Sequence, residues 1–368
     1  MNVTDIRTNF RRLGPKFRIS SKNLRSMMMY LSVLIRLIAT CTAATEPECQ
    51  SIPDLVGMQL PQLLCSSLFV ATLCQEVETG GQGKEGALVS TSLGLVRGTE
   101  GKTDLGTRYA KYTKVPYAEP PTGALRLREP VSKRAWSGEL DASQVSPACL
   151  QFESLGGSNS GKGQEDCLYL NIFAPNPADT DLKPVLLWIH GGAFTEGDAN
   201  ALTDPQYLLD QDVVFVSIHY RLGLLGFLAV ENSTDLTGNL GLKDQQEAMR
   251  WVQRNIAFFG GDPEKVTIFG ESAGAVSVHD HILSPTGKGL FRAAILQSGT
   301  ALLSYEKLVQ RTIEKDGWRM LEKLGCAKAK DIRDCLLLLE AEAFVDPNLD
   351  AQVWPVQVQN HQQGRLGM

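Results

Sequence analysis

Residues Val266–Gly274 read VTIFGESAG, and this stretch decides the fold. Val266–Phe269 is short, apolar and rich in β-branched and aromatic residues, which predicts a buried strand. Gly270-Glu271-Ser272-Ala273-Gly274 follows at once, and a helical pattern resumes after Ser272. A G-x-S-x-G with a strand before it and a helix after it is a tight turn that lifts a serine hydroxyl above the end of a sheet. The turn needs small residues on both sides, because it brings backbone and neighbouring elements together. Ser272 is therefore the candidate nucleophile. The first helical N–H groups, that of Ala273 among them, point to the same place.

Upstream, strands and helices alternate. Leu88–Arg97 reads as a strand with a turn at Gly94, and Tyr109–Tyr117 as an extended segment ended by Pro120-Pro121. Val185–Ile189 and Val213–Ile218 are apolar runs of the kind buried on both faces of a sheet. Gly241–Phe259 carries an apolar stripe at helical spacing (Leu242, Ala248, Met249, Val252, Ile256), stopped by Gly260-Gly261-Asp262-Pro263. Asp244 and Glu247 lie near its start, where the helix dipole favours acids. This order predicts an α/β fold with a mostly parallel central sheet and helices on both faces. After the run Val185–Ile189 comes His190-Gly191-Gly192-Ala193. Such a glycine loop lets backbone N–H groups approach a ligand and stabilise an oxyanion. His190 reads as a residue orienting that loop rather than as a base.

The 368 residues are 43% hydrophobic and 21% charged, the composition of an ordinary globular protein. Residues 1–36 hold eight basic side chains against the single acid Asp5, so the remainder, −5 less +7, carries −12. An acidic body argues against a nucleic-acid partner. Met27–Ala44 and Leu60–Leu73 are apolar segments suited to a signal sequence or anchor, with transient membrane contact, and Gly80–Gly86 (GGQGKEG) reads as a linker. The expected division is an extension over 1–86, a main domain over 87–347 and a divergent tail over 348–368. No C-x-x-C or Cys/His cluster has metal spacing. By spacing alone the four body cysteines fit either two disulfides or buried thiols.

Beyond these motifs, Val115–Gly123 (VPYAEPPTG), Glu165–Ile172 (EDCLYLNI), Trp188–Phe194 (WIHGGAF), Tyr220–Leu228 (YRLGLLGFL) and Gly238–Gly299 occur in the order found in type B carboxylesterases. The chain resembles that cholinesterase-like family of α/β-hydrolases over roughly residues 87–345. The resemblance implies a serine hydrolase acting on a small-molecule carboxylic ester through an acyl-enzyme, with no cofactor and no metal. It implies Ser272 as nucleophile and the N–H groups of Gly192, Ala193 and Ala273 as the oxyanion hole. The family usually has glycine at Ala193; alanine keeps the N–H but narrows the acyl pocket. Glu271 would tune the site, or simply serve as a helix-start acid. Cys149 with Cys167 and Cys326 with Cys335 would form the family's two disulfides. With the sequon Asn232-Ser233-Thr234 they imply a secreted or lumenal protein.

The pattern departs from the family after Ser272. In this fold the acid and histidine follow the serine, and the family places them further on than the remaining 96 residues (368 − 272) reach. His279 and His281 recede along the outgoing helix, about 10–14 Å at 1.5 Å per residue. Asp350 and His361 restore the order only formally, since Asn348–Met368 offers no element to hold them. The sequence is thus expected to be an esterase domain truncated at its C-terminal side; the alternative is a catalytically inactive cholinesterase-like binding or adhesion protein. Gln151–Asp166 contains no tryptophan for cation–π binding of a quaternary ammonium, which disfavours choline esters. N-terminal sequencing of exported protein should find a start between about Gln75 and Gly86, just beyond the second apolar segment; retention of Met1 or Met27 would contradict this.

Overall fold

The computed structural model describes residues 87–153, 160–177, 179–202, 205–230, 233–301, 317–346 and 349. Both N-terminal apolar segments, Asn232, Asp350 and His361 lie outside them. Seven strands form the central sheet: β1 (Thr99–Lys102), β2 (Arg108–Pro116), β3 (Tyr169–Pro175), β4 (Lys183–Ile189), β5 (Val214–Ile218), β6 (Gly261–Glu271) and β7 (Ala293–Gln297). Their spatial order is β7-β6-β4-β5-β3-β2-β1. The pairs β7/β6, β6/β4 and β4/β5 are parallel, and the other three are antiparallel. The α/β arrangement expected from sequence is present, but the sheet is mixed rather than mostly parallel. Its parallel half contains the serine turn. The antiparallel half starts at β3, which runs opposite to both of its neighbours, β5 and β2.

Strand β5 is buried on both faces, and β4 and β6 are buried on one and partly covered on the other, which accounts for the absence of polar alternation in their apolar runs. Val185, Leu187 and Ile189 of β4 join Val216 and Ile218 of β5 and Val266 and Ile268 of β6 in the main core. The helix α1 (Leu240–Asn255) packs there through Met249, Trp251 and Val252. On the opposite face, Leu186, Trp188, Phe215 and Phe269 meet Phe173 and Leu209 in a smaller, aromatic-rich cluster. Phe215 and Phe269 meet edge-on with centroids 6.2 Å apart, the offset geometry that aromatic quadrupoles favour. Strand β6 is longer than its apolar run, beginning at Gly261 with an irregular register before Val266. Pro263 lacks an N–H donor, so the strand bulges there and its first half carries no sequence signal. Among the described residues no helix is long and apolar enough to cross a membrane.

One acid expected at the start of α1 has a different role. Asp244 is completely buried and receives the Arg221 guanidinium on both oxygens at 2.7 Å, with the Arg221 N–H adding a third bond at 3.1 Å. Arg221 also donates to the Arg128 carbonyl at 2.8 Å. The pair therefore fixes the chain immediately after β5 against α1. The first disulfide joins Cys149 to Cys167, and the second joins Cys326 to Cys335 among the helices that follow the sheet. Removing one partner of a buried, fully bonded pair costs about 3–5 kcal/mol, since the other charge stays buried. Asp244→Ala should lower the unfolding free energy by that order, read as a lower urea midpoint at constant m, and a loss below about 1 kcal/mol would mean that the pair is screened by solvent.

Candidate active site

Strands β4 and β6 are parallel neighbours with Ile189 opposite Gly270, so their C-terminal ends deliver two loops to one point. Ser272 follows β6 directly and precedes the helix α2 (Ala273–Leu283). Its backbone is held at φ 54°, ψ −120°, a conformation that costs a non-glycine residue about 1–3 kcal/mol. Two neighbours hold the turn in place: the Ser272 N–H donates to the Gln297 carbonyl at the end of β7 at 2.9 Å, and the Ser272 carbonyl accepts from Val276 at 3.0 Å. The small residues read from sequence are a steric necessity. A Cβ on Gly274 would lie 2.1 Å from the Ile189 carbonyl oxygen, and one on Gly270 would lie 2.5 Å from the Gly274 backbone. Helix α2 therefore starts hard against the end of β4.

The glycine loop meets the serine at the same end. A Cβ on Gly191 would fall 2.6 Å from the Glu271 carbonyl oxygen, 3.1 Å from its carboxylate and 3.2 Å from the Ser272 Cβ. Gly192 (φ 97°), Ala193 (φ 58°) and Phe194 (φ 62°) turn successively through the left-handed region. The Gly192 carbonyl points inward, accepting the N–H groups of Thr195 and Glu196 at 3.0 Å each. Among the described residues the N–H groups of Gly192 and Ala193 donate to no protein acceptor. The Ala273 N–H, at the first helical position, has no intrahelical acceptor. Three backbone donors and one hydroxyl are thus available at the sheet's C-terminal edge. The exposed Glu271 borders them. No group of three or more potential metal ligands occurs among the described residues.

The histidines are engaged elsewhere. His190 is buried, stacked on Tyr220 with centroids 4.3 Å apart, and its Nδ1 meets the Gly191 carbonyl at 2.8 Å. Tyr220 in turn donates its hydroxyl to the His190 carbonyl at 2.8 Å. This is the loop-orienting role expected of His190. His279 accepts the Ala301 N–H at 3.0 Å, and His281 meets Gln245 at 2.8 Å inside the core. Among the described residues no histidine bonds to Ser272. Sequence reading missed His219, whose Nε2 meets the Ser146 hydroxyl at 2.9 Å in a buried network with Asn171 and Asn200. No motif marks these residues, because they converge from four separate segments.

Burial pushes His190 down to about 4, against the opposing pull of its bond to the Gly191 carbonyl. It pushes His219 and His281 to about 3, with nearby positive charge adding to the effect. An unfolded imidazole, near 6.5, takes a proton as pH falls while the folded rings do not. The unfolded state then binds more protons, so stability is full above about 6.5 and is lost progressively toward about 4 for His190 and about 3 for His219 and His281. The urea midpoint should fall between pH 7.5 and 5.5, where carboxylates remain ionised; a flat midpoint over that window would show that these rings are hydrated.

Residues 85–364 match the carboxylesterase family. A carboxylic ester hydrolase of Bombus ignitus is 40% identical over 276 residues, 73% of this chain and 49% of its own length. Venom carboxylesterase-6 of Apis mellifera is 39% identical over 278 residues, 74% and 49% of the two chains. An acetylcholinesterase of Bungarus fasciatus is 42% identical over 316 residues, 82% of this chain and 50% of its own. The chain spans about half the length of the curated relatives it matches. With the match covering most of the chain, including both loops at the sheet edge, this protein belongs to the carboxylesterase family.

Proposed function

We propose that Ser272 is the nucleophile of a carboxylic ester hydrolase and that Gly192, Ala193 and Ala273 supply its oxyanion hole. The observation that carries this reading is the meeting of a strained serine turn with free backbone donors at the ends of two adjacent parallel strands. The Ser272 Oγ would attack the ester carbonyl carbon and lose its proton to a base. The carbonyl oxygen, now negative, would lie among the three N–H groups, each worth about 2.7–4 kcal/mol to the transition state. Collapse would expel the alcohol, which takes up the proton, and leave an acyl-Ser272 ester for water to cleave. Glu271 would act electrostatically at the rim.

The base is the part that the described residues do not supply, since each of their histidines is bonded elsewhere. The second reading is a cholinesterase-like binding or adhesion protein, which would need no base beside Ser272. On the hydrolase reading the substrate is an uncharged carboxylic ester with a small acyl group. Ala193 narrows the acyl side, and Gln151–Asp166 offers no tryptophan for a quaternary ammonium. Export fits the two disulfides, which need an oxidising compartment, and would allow glycosylation at Asn232.

Oxyanion donors and binding alone sustain about 10³–10⁴-fold catalysis over water, and loss of the histidine in a comparable triad costs about 10⁶ in kcat. A fluorophosphonate should therefore label the chain once, slowly, and Ser272→Ala should abolish the mass increase, while p-nitrophenyl acetate turnover stays far below enzyme rates. Absence of Ser272-dependent labelling would decide for the binding reading. Turnover at ordinary enzyme rates, lost in Ser272→Ala, would show that a base does reach the serine.

A further inference from the structure

Gln151 lies two residues past Cys149 and is almost completely buried. Its amide makes three hydrogen bonds. Nε2 donates to its own segment at the Cys149 carbonyl, 2.9 Å, and to the Gly197 carbonyl, 2.9 Å. Oε1 accepts the Gly197 N–H at 2.8 Å. Two carbonyls on one end and an N–H on the other admit a single orientation of the amide. A glutamine here reads both backbone groups of one glycine, as a neighbouring strand would.

Gly197 is the point through which this contact reaches the site. At φ 137° it packs so closely that a Cβ would lie 2.1 Å from the His190 Nδ1 and 2.5 Å from the Gly191 carbonyl oxygen. Gly191 in turn borders Ser272 and Glu271. The platform under Gln151 is firm: the Cys149–Cys167 bond holds one side, and pairing of Gln151–Glu153 with Ser160–Lys162 holds the other. Backbone bonds between Leu150 and Gln164, and between Gln164 and Ala148, close it further.

We infer that Gln151 is a positioning residue: it holds Gly197, and through it the loop Gly191–Gly197, so that the Gly192 and Ala193 N–H groups keep their aim at the serine. The inference rests on the oxyanion reading of that loop. The loop holds two successive non-glycine residues, Ala193 and Phe194, in the left-handed region and donates few bonds of its own. Without the amide, the Gly197 N–H and carbonyl would be left seeking water, and the loop would relax at its closest approach to the serine. A misplacement of about 1 Å in such a site costs about 10²-fold in rate.

The test compares the full chain with Gln151→Met and Gln151→Glu by hydrogen exchange and by fluorophosphonate labelling. In Gln151→Met, exchange over residues 191–197 should rise at least about tenfold while peptides from β4 and β5 stay unchanged, and Ser272 labelling should slow by about 10²-fold. In Gln151→Glu the new carboxylate would face two carbonyl oxygens, giving the same loss at pH 8. At pH 5 the protonated carboxyl can again donate to Gly197 and accept from it, so labelling relative to Gln151→Met at the same pH should recover. Unchanged exchange in Gln151→Met, or the same ratio at both pH values for Gln151→Glu, would overturn the inference. If the unaltered chain never labels, the nucleophile reading falls, and the exchange comparison still decides whether Gln151 positions the loop.

Discussion

The approach of helix α2 to the end of strand β4 is the constraint on which the rest of the site depends. Gly274 leaves no room for even one carbon between itself and the Ile189 carbonyl oxygen. That contact fixes where the helix begins, and hence where Ser272, one residue before it, must turn. It also sets how near the loop leaving β4 can come to the serine, because Ile189 and His190 are the residues that Gly274 touches. Interiors are packed like crystals, so a contact of this kind transmits position rather than absorbing error. The unfavourable φ of Ser272 persists because the surroundings, a strand end on each side and a helix ahead, leave it no alternative.

Around that contact the protein places buried polar groups in bonded sets rather than as single charges. Arg221 and Asp244 satisfy each other and fasten the segment after β5 to helix α1. His190 and Tyr220 stack, and the Tyr220 hydroxyl donates to the His190 carbonyl, at the base of the glycine loop. Ser146, Asn171, Asn200 and His219 close a network at the loop's far end. A buried donor left unpaired costs about 1–3 kcal/mol, so each set holds its segments in one geometry. These histidines are neutral parts of the scaffold. On the proposed reading, chemistry at Ser272 would draw its donors from the backbone instead, which costs no titration and little reorganisation.

The two disulfides divide the work differently. Cys326–Cys335 braces the helices after the sheet, whose Met320, Leu321 and Phe344 share a second core with Leu127, Leu225 and Leu228 from earlier in the chain. Cys149–Cys167 lies within the main core and beneath Gln151, next to the glycine loop. Bonds of this kind stabilise chiefly by restricting the unfolded chain, yet the first also sets the footing of a residue that contacts the site's loop.

The sequence by itself determined the elements that carry their own periodicity or turn chemistry. The apolar runs gave β4 and β5, the 3.6-residue stripe gave α1, and the GESAG turn placed Ser272 between a strand and a helix, all read within windows of a few residues. It also brought the glycine loop and the serine into one site, by motif and by resemblance to a family. Tertiary structure decided what depends on partners distant in the chain. Strand order and direction are properties of pairing, so the antiparallel half of the sheet was invisible to a reading of single strands. Asp244 looked like a helix-start acid because the dipole is local, whereas its actual partner Arg221 precedes it by 23 residues. His219 and Gln151 carry no motif at all, since a hydrogen bond specifies an atom in space and not a spacing in sequence. Only the fold brings Gln151 across 46 positions to Gly197.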